Sequence, residues 1–186
     1  MEAADGKPAV RVFVALKVAP EIAEALAQMS SGLEALAARL IAPADIHLTL
    51  VPPWNETLIP AAIDKLRGVA GKAIPFTLDF RHLCYGPEPR RPRLLWAECT
   101  ASEELAALHA ALLQAFGQSD LRPFRPHVTV ARIRSSGAAV ARKCPIDRTL
   151  TLAQQVATVE LMQSPPAGEA GYRVLASLRL GGDPAR

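Results

Sequence analysis

The chain contains four histidines, and two of them sit in matching tetrapeptides. Residues 47–50 read His-Leu-Thr-Leu and residues 127–130 read His-Val-Thr-Val. Both have the form His-apolar-Thr-apolar, and both follow a loop that contains proline. Successive side chains of a β-strand point to opposite faces. In strands, His47 therefore shares a face with Thr49, and His127 with Thr129. Leu48, Leu50, Val128 and Val130 point the other way. Two such strands side by side would gather two imidazoles and two hydroxyls around one cavity, a set that suits a phosphodiester. A neutral imidazole can take a proton from an attacking water or hydroxyl, and an imidazolium can give one to the leaving oxygen. Imidazole does both near neutrality because its free pKa is about 6.5. Each well-placed acid or base is worth roughly 10²–10⁴-fold in rate. The threonine hydroxyls can donate to the non-bridging oxygens where charge develops, and a nearby arginine would add charge. This chemistry needs no metal and no cofactor.

A single His-x-Thr in a strand carries little weight, so the repetition is the signal. The other two histidines lack it. His109 falls within a predicted helix at the border of its buried stripe, and His82 reads as a surface residue beside Arg81. No His-Glu-x-x-His, carboxylate cluster or close cysteine pair accompanies them, which argues against zinc. Cys84, Cys99 and Cys144 are odd in number and widely spaced. A disulfide framework is therefore not expected, and a reducing cytoplasm is. No Walker-type loop or GxGxxG offers an anchor for nucleotide-driven chemistry. No apolar run approaches the roughly 20 residues of a membrane span, so no membrane partner is expected.

The net charge of +3 permits an anionic ligand without demanding one. Basic residues gather at Arg90, Arg91 and Arg93, and again at Arg122, Arg125, Arg132 and Arg134 around the second motif. They form either a solvated surface or the rim of a phosphate site.

The elements that must position the motifs can be read from periodicity. Val10–Val18 predicts a buried strand. A helix starts at Pro20, with Ile22, Leu26, Met29, Leu33, Leu36 and Leu40 as one apolar face. Ile46–Val51 predicts a strand that Pro52 and Pro53 stop. A helix from about Pro60 ends at Gly71. Strands follow at Ile74–Phe80 and Leu94–Cys99, separated by a proline-rich loop over Cys84–Arg93. Thr100 or Ser102 caps a helix that ends at Gly117 and buries Leu105, Leu108, Leu112 and Phe116. His127–Ile133 is a strand and Ser135–Arg148 mostly loop. Two antiparallel strands near Gln155–Gln163 and Tyr172–Leu180 are joined by a turn holding Pro165, Pro166, Gly168 and Gly171. The pattern is α+β with mixed or antiparallel sheets. It gives one domain over 9–182 with tails at 1–8 and 183–186.

With these motifs in view, the chain resembles the 2H phosphoesterase superfamily and, within it, the RNA 2′,3′-cyclic phosphodiesterases also called 2′-5′ RNA ligases. The resemblance rests on Arg11-Val-Phe-Val-Ala-Leu16, Asp45-Ile-His-Leu-Thr-Leu50, Leu94-Leu-Trp-Ala97 and the Leu161–Leu180 segment. Its most specific stretch is Arg122-Pro-Phe-Arg-Pro-His-Val-Thr-Val-Ala-Arg132. The resemblance implies two lobes related by a pseudo-twofold axis, with antiparallel sheets lining a central cleft. It implies hydrolysis of 2′,3′-cyclic phosphates to 2′-phosphates by a monomer without metal or cofactor, with RNA ends or cyclic nucleotides as partners. It casts His47 as general acid, His127 as general base, Thr49, Thr129 and Arg132 as phosphate ligands, and Phe13 as a base-stacking residue. Reversible 2′-5′ ligation is the same chemistry run backwards. The competing class is a non-catalytic RNA-binding module that keeps the cleft. The chain departs from the family after the first motif, where Val51-Pro-Pro-Trp-Asn-Glu56 replaces the usual Phe-Leu-Gly-Glu. Trp54 there is a second candidate for base stacking or, equally, a cover for the core.

Overall fold

The computed structural model describes residues 8–36, 38–119, 123–134, 136–166, 169 and 171–182. The expected tails, apart from Pro8, together with Arg122, Ser135 and Gly168, lie outside them. Among the described residues, nine strands run in chain order: β1 Val10–Lys17, β2 Ala38–Leu40, β3 His47–Glu56, β4 Phe76–Gly86, β5 Leu94–Cys99, β6 His127–Ile133, β7 Asp147–Val156, β8 Thr158–Gln163 and β9 Arg173–Arg179. They form one sheet in the order β7-β4-β5-β6-β3-β1-β8-β9, with β2 paired to the far end of β6. The pairings are antiparallel. The helices are α1 Pro20–Met29, α2 Ile59–Ala70, α3 Glu103–Ala115 and α4 Gly137–Lys143.

The strand order maps onto itself about the β6–β3 junction, where the two halves meet through the single register pair Leu48↔Val128. This is the pseudo-twofold, two-lobed α+β arrangement that the resemblance implies. The apolar face of the sheet buries Val12, Val14, Leu16, Leu48, Leu50, Leu95, Ala97, Val128 and Val130 in one core with Ile22 and Leu26 of α1, Ala62 and Leu66 of α2, and Leu105, Leu108 and Leu112 of α3. Burying side chains of this size stabilises by about 1.5–3 kcal/mol each. The opposite face carries a small apolar cluster, Phe13, Ala15 and Met162, with Tyr172 packed against it, and the buried Trp96. That polar face holds the motifs.

Several boundaries differ from the sequence pattern. The helix expected to reach Leu40 stops at Met29. Ser30 donates its hydroxyl to the carbonyl of Ala27, and a 3₁₀ turn over Ser31–Leu33 redirects the chain into β2. β3 continues through Pro52 and Pro53 instead of stopping, because bulges lift both prolines out of the ladder where their missing N–H costs nothing. β4 extends to Gly86, into the expected Cys84–Arg93 loop; α4 forms within the expected 135–148 loop, and β7 starts at its end and runs through residues to which the sequence assigned no element. Ser102 caps α3, its hydroxyl accepting from the N–H of Leu105 at 3.2 Å.

Candidate active site

Antiparallel pairing about Leu48↔Val128 sets His47 in register beside Thr129, and Thr49 beside His127. The two imidazoles are thus diagonal neighbours on one face. Such diagonals lie about 7–8 Å apart, and a single bridge lets the strands splay further. Both strands bulge one step beyond the motif. Thr49 pairs with Ala15 while Val51 pairs with Val14, and Thr129 pairs with Trp96 while Ala131 pairs with Leu95. The bulges turn two consecutive residues into the core, Leu50 with Val51 and Val130 with Ala131, each at most 1% exposed. The next side chain then returns to the histidine face. In β3 this is Pro52, and in β6 it is Arg132, which strict alternation would have sent to the far side.

Each imidazole is held in the same way. Nδ1 of His47 donates to the carbonyl of Asp45 at 2.7 Å, and Nδ1 of His127 to the carbonyl of Arg125 at 2.8 Å. A carbonyl only accepts, so Nδ1 carries the proton and Nε2 is left to accept or donate in the cleft. Aromatic rings fix the ring planes. His47 lies between Phe13 and Tyr172, with centroids 4.9 Å away in each case. Trp96 packs on His127 at 4.2 Å. The Asp45 carboxylate accepts from the backbone N–H of Tyr172 at 3.0 Å, which ties the β8–β9 turn to the first motif. The Arg125 guanidinium lies over the Trp96 ring at 5.2 Å and donates to Glu98 at 2.8 Å.

Burial, the largest cause, holds the pKa of both histidines below its usual value. At His47 the Asp45 carbonyl and carboxylate oppose this, and the Arg132 charge reinforces it. At His127 the Arg125 carbonyl opposes it, the Arg125 charge reinforces it, and Glu98 opposes it more weakly. A neutral imidazole is thus the resting state of each. Beside them a pocket of about 350 Å³ is lined by Thr49, Pro52, Trp96, His109, Phe124, Arg125 and His127, among others.

The structure therefore brings together His47, Thr49, His127, Thr129 and Arg132. The two stacking candidates are placed differently. Phe13 stands on the right face but is 2% exposed, covered by His47 and Tyr172. It supports the imidazole and has no free ring face for a base. Trp54 pairs with Val12, so it faces the helices; its ring lies 4.9 Å from Phe116 and its N–H donates to Glu56. Sequence reasoning missed Trp96 and Phe124 as walls of the site. It also missed His109, whose Nδ1 donates to the carbonyl of Leu50 and whose ring stacks on Phe124 at 3.8 Å. The parity of Trp96 with Glu98 on a strand beside the second motif was the available signal.

A pseudo-symmetric sheet presenting two His-x-Thr strands from its centre defines a 2H phosphoesterase. The chain belongs to the 2′-5′ RNA ligase superfamily, whose family model matches residues 18–163. It is similar to the RNA 2′,3′-cyclic phosphodiesterase of Bacillus subtilis (strain 168), with 33% identity over 96 residues, 48% of this chain and 52% of that protein. It is also similar to the protein of the same name from Aquifex aeolicus (strain VF5), with 26% identity over 137 residues, 68% of this chain and 72% of that one. The match thus spans about half the length of the Bacillus relative. Two solved structures share the fold. TT0787 of Thermus thermophilus superposes with a TM-score of 0.76 at 23% identity, covering 92% of this chain and 98% of that one. E. coli LigT complexed with 3′-AMP gives 0.72 at 24%, with the same coverage. Among the described residues, no helix is long and apolar enough to cross a membrane.

Proposed function

We propose that the protein hydrolyses 2′,3′-cyclic phosphodiesters, at RNA ends or on nucleotides, to 2′-phosphates. The observation that carries this is the matched pair of imidazoles, each with Nδ1 tied back to a carbonyl, which leaves Nε2 without a hydrogen-bond partner among the described residues. The names of the relatives, RNA 2′,3′-cyclic phosphodiesterases, support the substrate class.

His127, neutral at rest, takes a proton through Nε2 from a water as its oxygen attacks phosphorus. The bond from phosphorus to the 3′ oxygen breaks, and His47, as imidazolium, gives that oxygen its proton. The 2′ ester remains. The proton gained by His127 and the one lost by His47 balance, and exchange with solvent resets the pair. Thr49 and Thr129 donate to the non-bridging oxygens as charge builds there. Arg132 opposes the phosphate charge, and once the phosphate is bound its negative charge favours the imidazolium that Arg132 alone disfavours. The wall of Phe124 and Pro52 offers apolar surface to the nucleoside.

The test uses a 2′,3′-cyclic nucleotide and a short RNA with a cyclic end, both in EDTA. Conversion to the 2′-phosphate is expected in both. His47→Ala and His127→Ala should each lower kcat by roughly 10²–10⁴-fold while leaving binding of the 2′-phosphate product measurable. RNA binding without turnover in the unmodified protein would falsify the catalytic reading in favour of a binding module.

A further inference from the structure

One strand away from His127, a second cluster lies on the same face of the sheet. His82 and Cys84 sit at alternate positions of β4, so both project from it, and Glu98 is the β5 register partner of His82. One donor atom of each lies within 4.8 Å of the other two. Asp147 of β7 binds Nε2 of His82. That is the carboxylate–imidazole pairing that fixes the ring of many metal-bound histidines. A groove open to solvent, lined by His82, Cys84, Glu98, Arg125 and Asp147 among others, gives access.

A buried donor points to what is missing. Trp96 is 4% exposed, and its indole Nε1 has no hydrogen-bond partner among the described residues. Leaving a buried N–H unpaired costs about 1–3 kcal/mol. Its neighbour is the Cys84 sulfur. Cys84 is the β4 register partner of Trp96. A neutral thiol is a weak acceptor, whereas a metal-bound thiolate would take the N–H.

We propose that His82, Cys84 and Glu98 form a divalent transition-metal site of the Zn²⁺ class, with Asp147 orienting His82 and the Trp96 N–H donating to the Cys84 thiolate. Mixed nitrogen, sulfur and oxygen ligands suit zinc and cobalt better than magnesium or calcium. Binding replaces the thiol proton, which leaves to solvent, and leaves a fourth position open to water. The charges balance: the metal and Arg125 bring three positive charges against the Cys84 thiolate, Glu98 and Asp147. The proposal does not rest on the hydrolytic reading, although Glu98 and Trp96 also border His127.

The experiment titrates Co²⁺ into the full-length, reduced, EDTA-stripped protein and follows thiolate-to-cobalt charge-transfer absorption, then displaces cobalt with Zn²⁺. A band saturating at one equivalent and bleached by Zn²⁺ is expected. It should vanish in Cys84→Ser, checked for folding by circular dichroism. It should require roughly 10–100-fold more cobalt in Trp96→Phe, the magnitude usual for losing an outer-sphere donor. No charge-transfer band, or one that survives Cys84→Ser, overturns the site. Because the readout is spectral, neither result bears on phosphodiester hydrolysis.

Discussion

Two imidazoles that share a fold position need not share a titration environment, and here both are pushed the same way. Burial dominates at His47 and at His127, and each is held below its usual 6.5. A lowered histidine pKa means that the unfolded chain binds more protons between the folded value and 6.5. Stability is therefore lost as pH falls from about 6.5 through the folded values, and is level above. The proposed hydrolysis needs one ring neutral and the other protonated. In the free enzyme both rings are mostly neutral at pH 7, so kcat/KM should peak on the acid side and its alkaline limb should begin below about pH 6.5. The limb in kcat should lie higher, because bound phosphate favours the His47 imidazolium. A kcat/KM profile flat to about pH 8 would show that the pair does not exchange protons as argued. The catalytic candidates were legible because strand parity alone places His and Thr together. Arg132 was named by the resemblance and not by parity, since a bulge decides its face and nothing in Val130-Ala131 announces one.

At the scale of elements, β4 and β5 act as the mount for His127. Gly86 ends β4 where a Cβ would collide with Cε2 and Cζ2 of Trp96, so only glycine lets the indole lie flat against the strand and under the imidazole. Gly86→Ala should displace that ring. Overpacking of this kind costs about 1–3 kcal/mol, and kcat/KM should fall at least about tenfold, since ångström misplacement of a reacting group costs up to about 10²-fold. Steady-state kinetics with a parallel melt separates the two effects, and an unchanged kcat/KM would show that Trp96 does not position His127. The elements that escaped sequence reading share one physical cause. Arg81–Gly86, which leads into a proline-rich stretch, and the largely polar Asp147–Thr151 are strand segments whose pairing comes from distant partners, β5 and β4. Pro52 and Pro53 read as a stop although a bulge accommodates them. The strongly periodic stretches, β1, α2, α3 and β6, were legible because their burial is imposed locally by apolar spacing.

Across the whole molecule, neither half owns a complete site. The first half brings His47 and Thr49, the second His127, Thr129 and Arg132, and the charge of Arg132 is felt at His47. The halves meet in the sheet at Leu48↔Val128, directly beneath the motifs and on the core side of both strands. Leu48 is fully buried, so Leu48→Ala removes core packing at the one position where the pseudo-twofold axis crosses the sheet. A truncation of this kind costs about 2–5 kcal/mol, and at this chain length each kcal/mol shifts Tm by about 2–4 °C. Tm should therefore fall by roughly 5–20 °C. Because α2, α3 and both sets of strands share one core, the loss should appear as a single transition that takes both histidine motifs together. Calorimetry alongside one-dimensional imidazole resonances of His47 and His127 tests this. Two separated transitions, or one histidine keeping its folded resonance after the other has lost it, would mean that the halves fold independently and that the junction does not couple the two motifs.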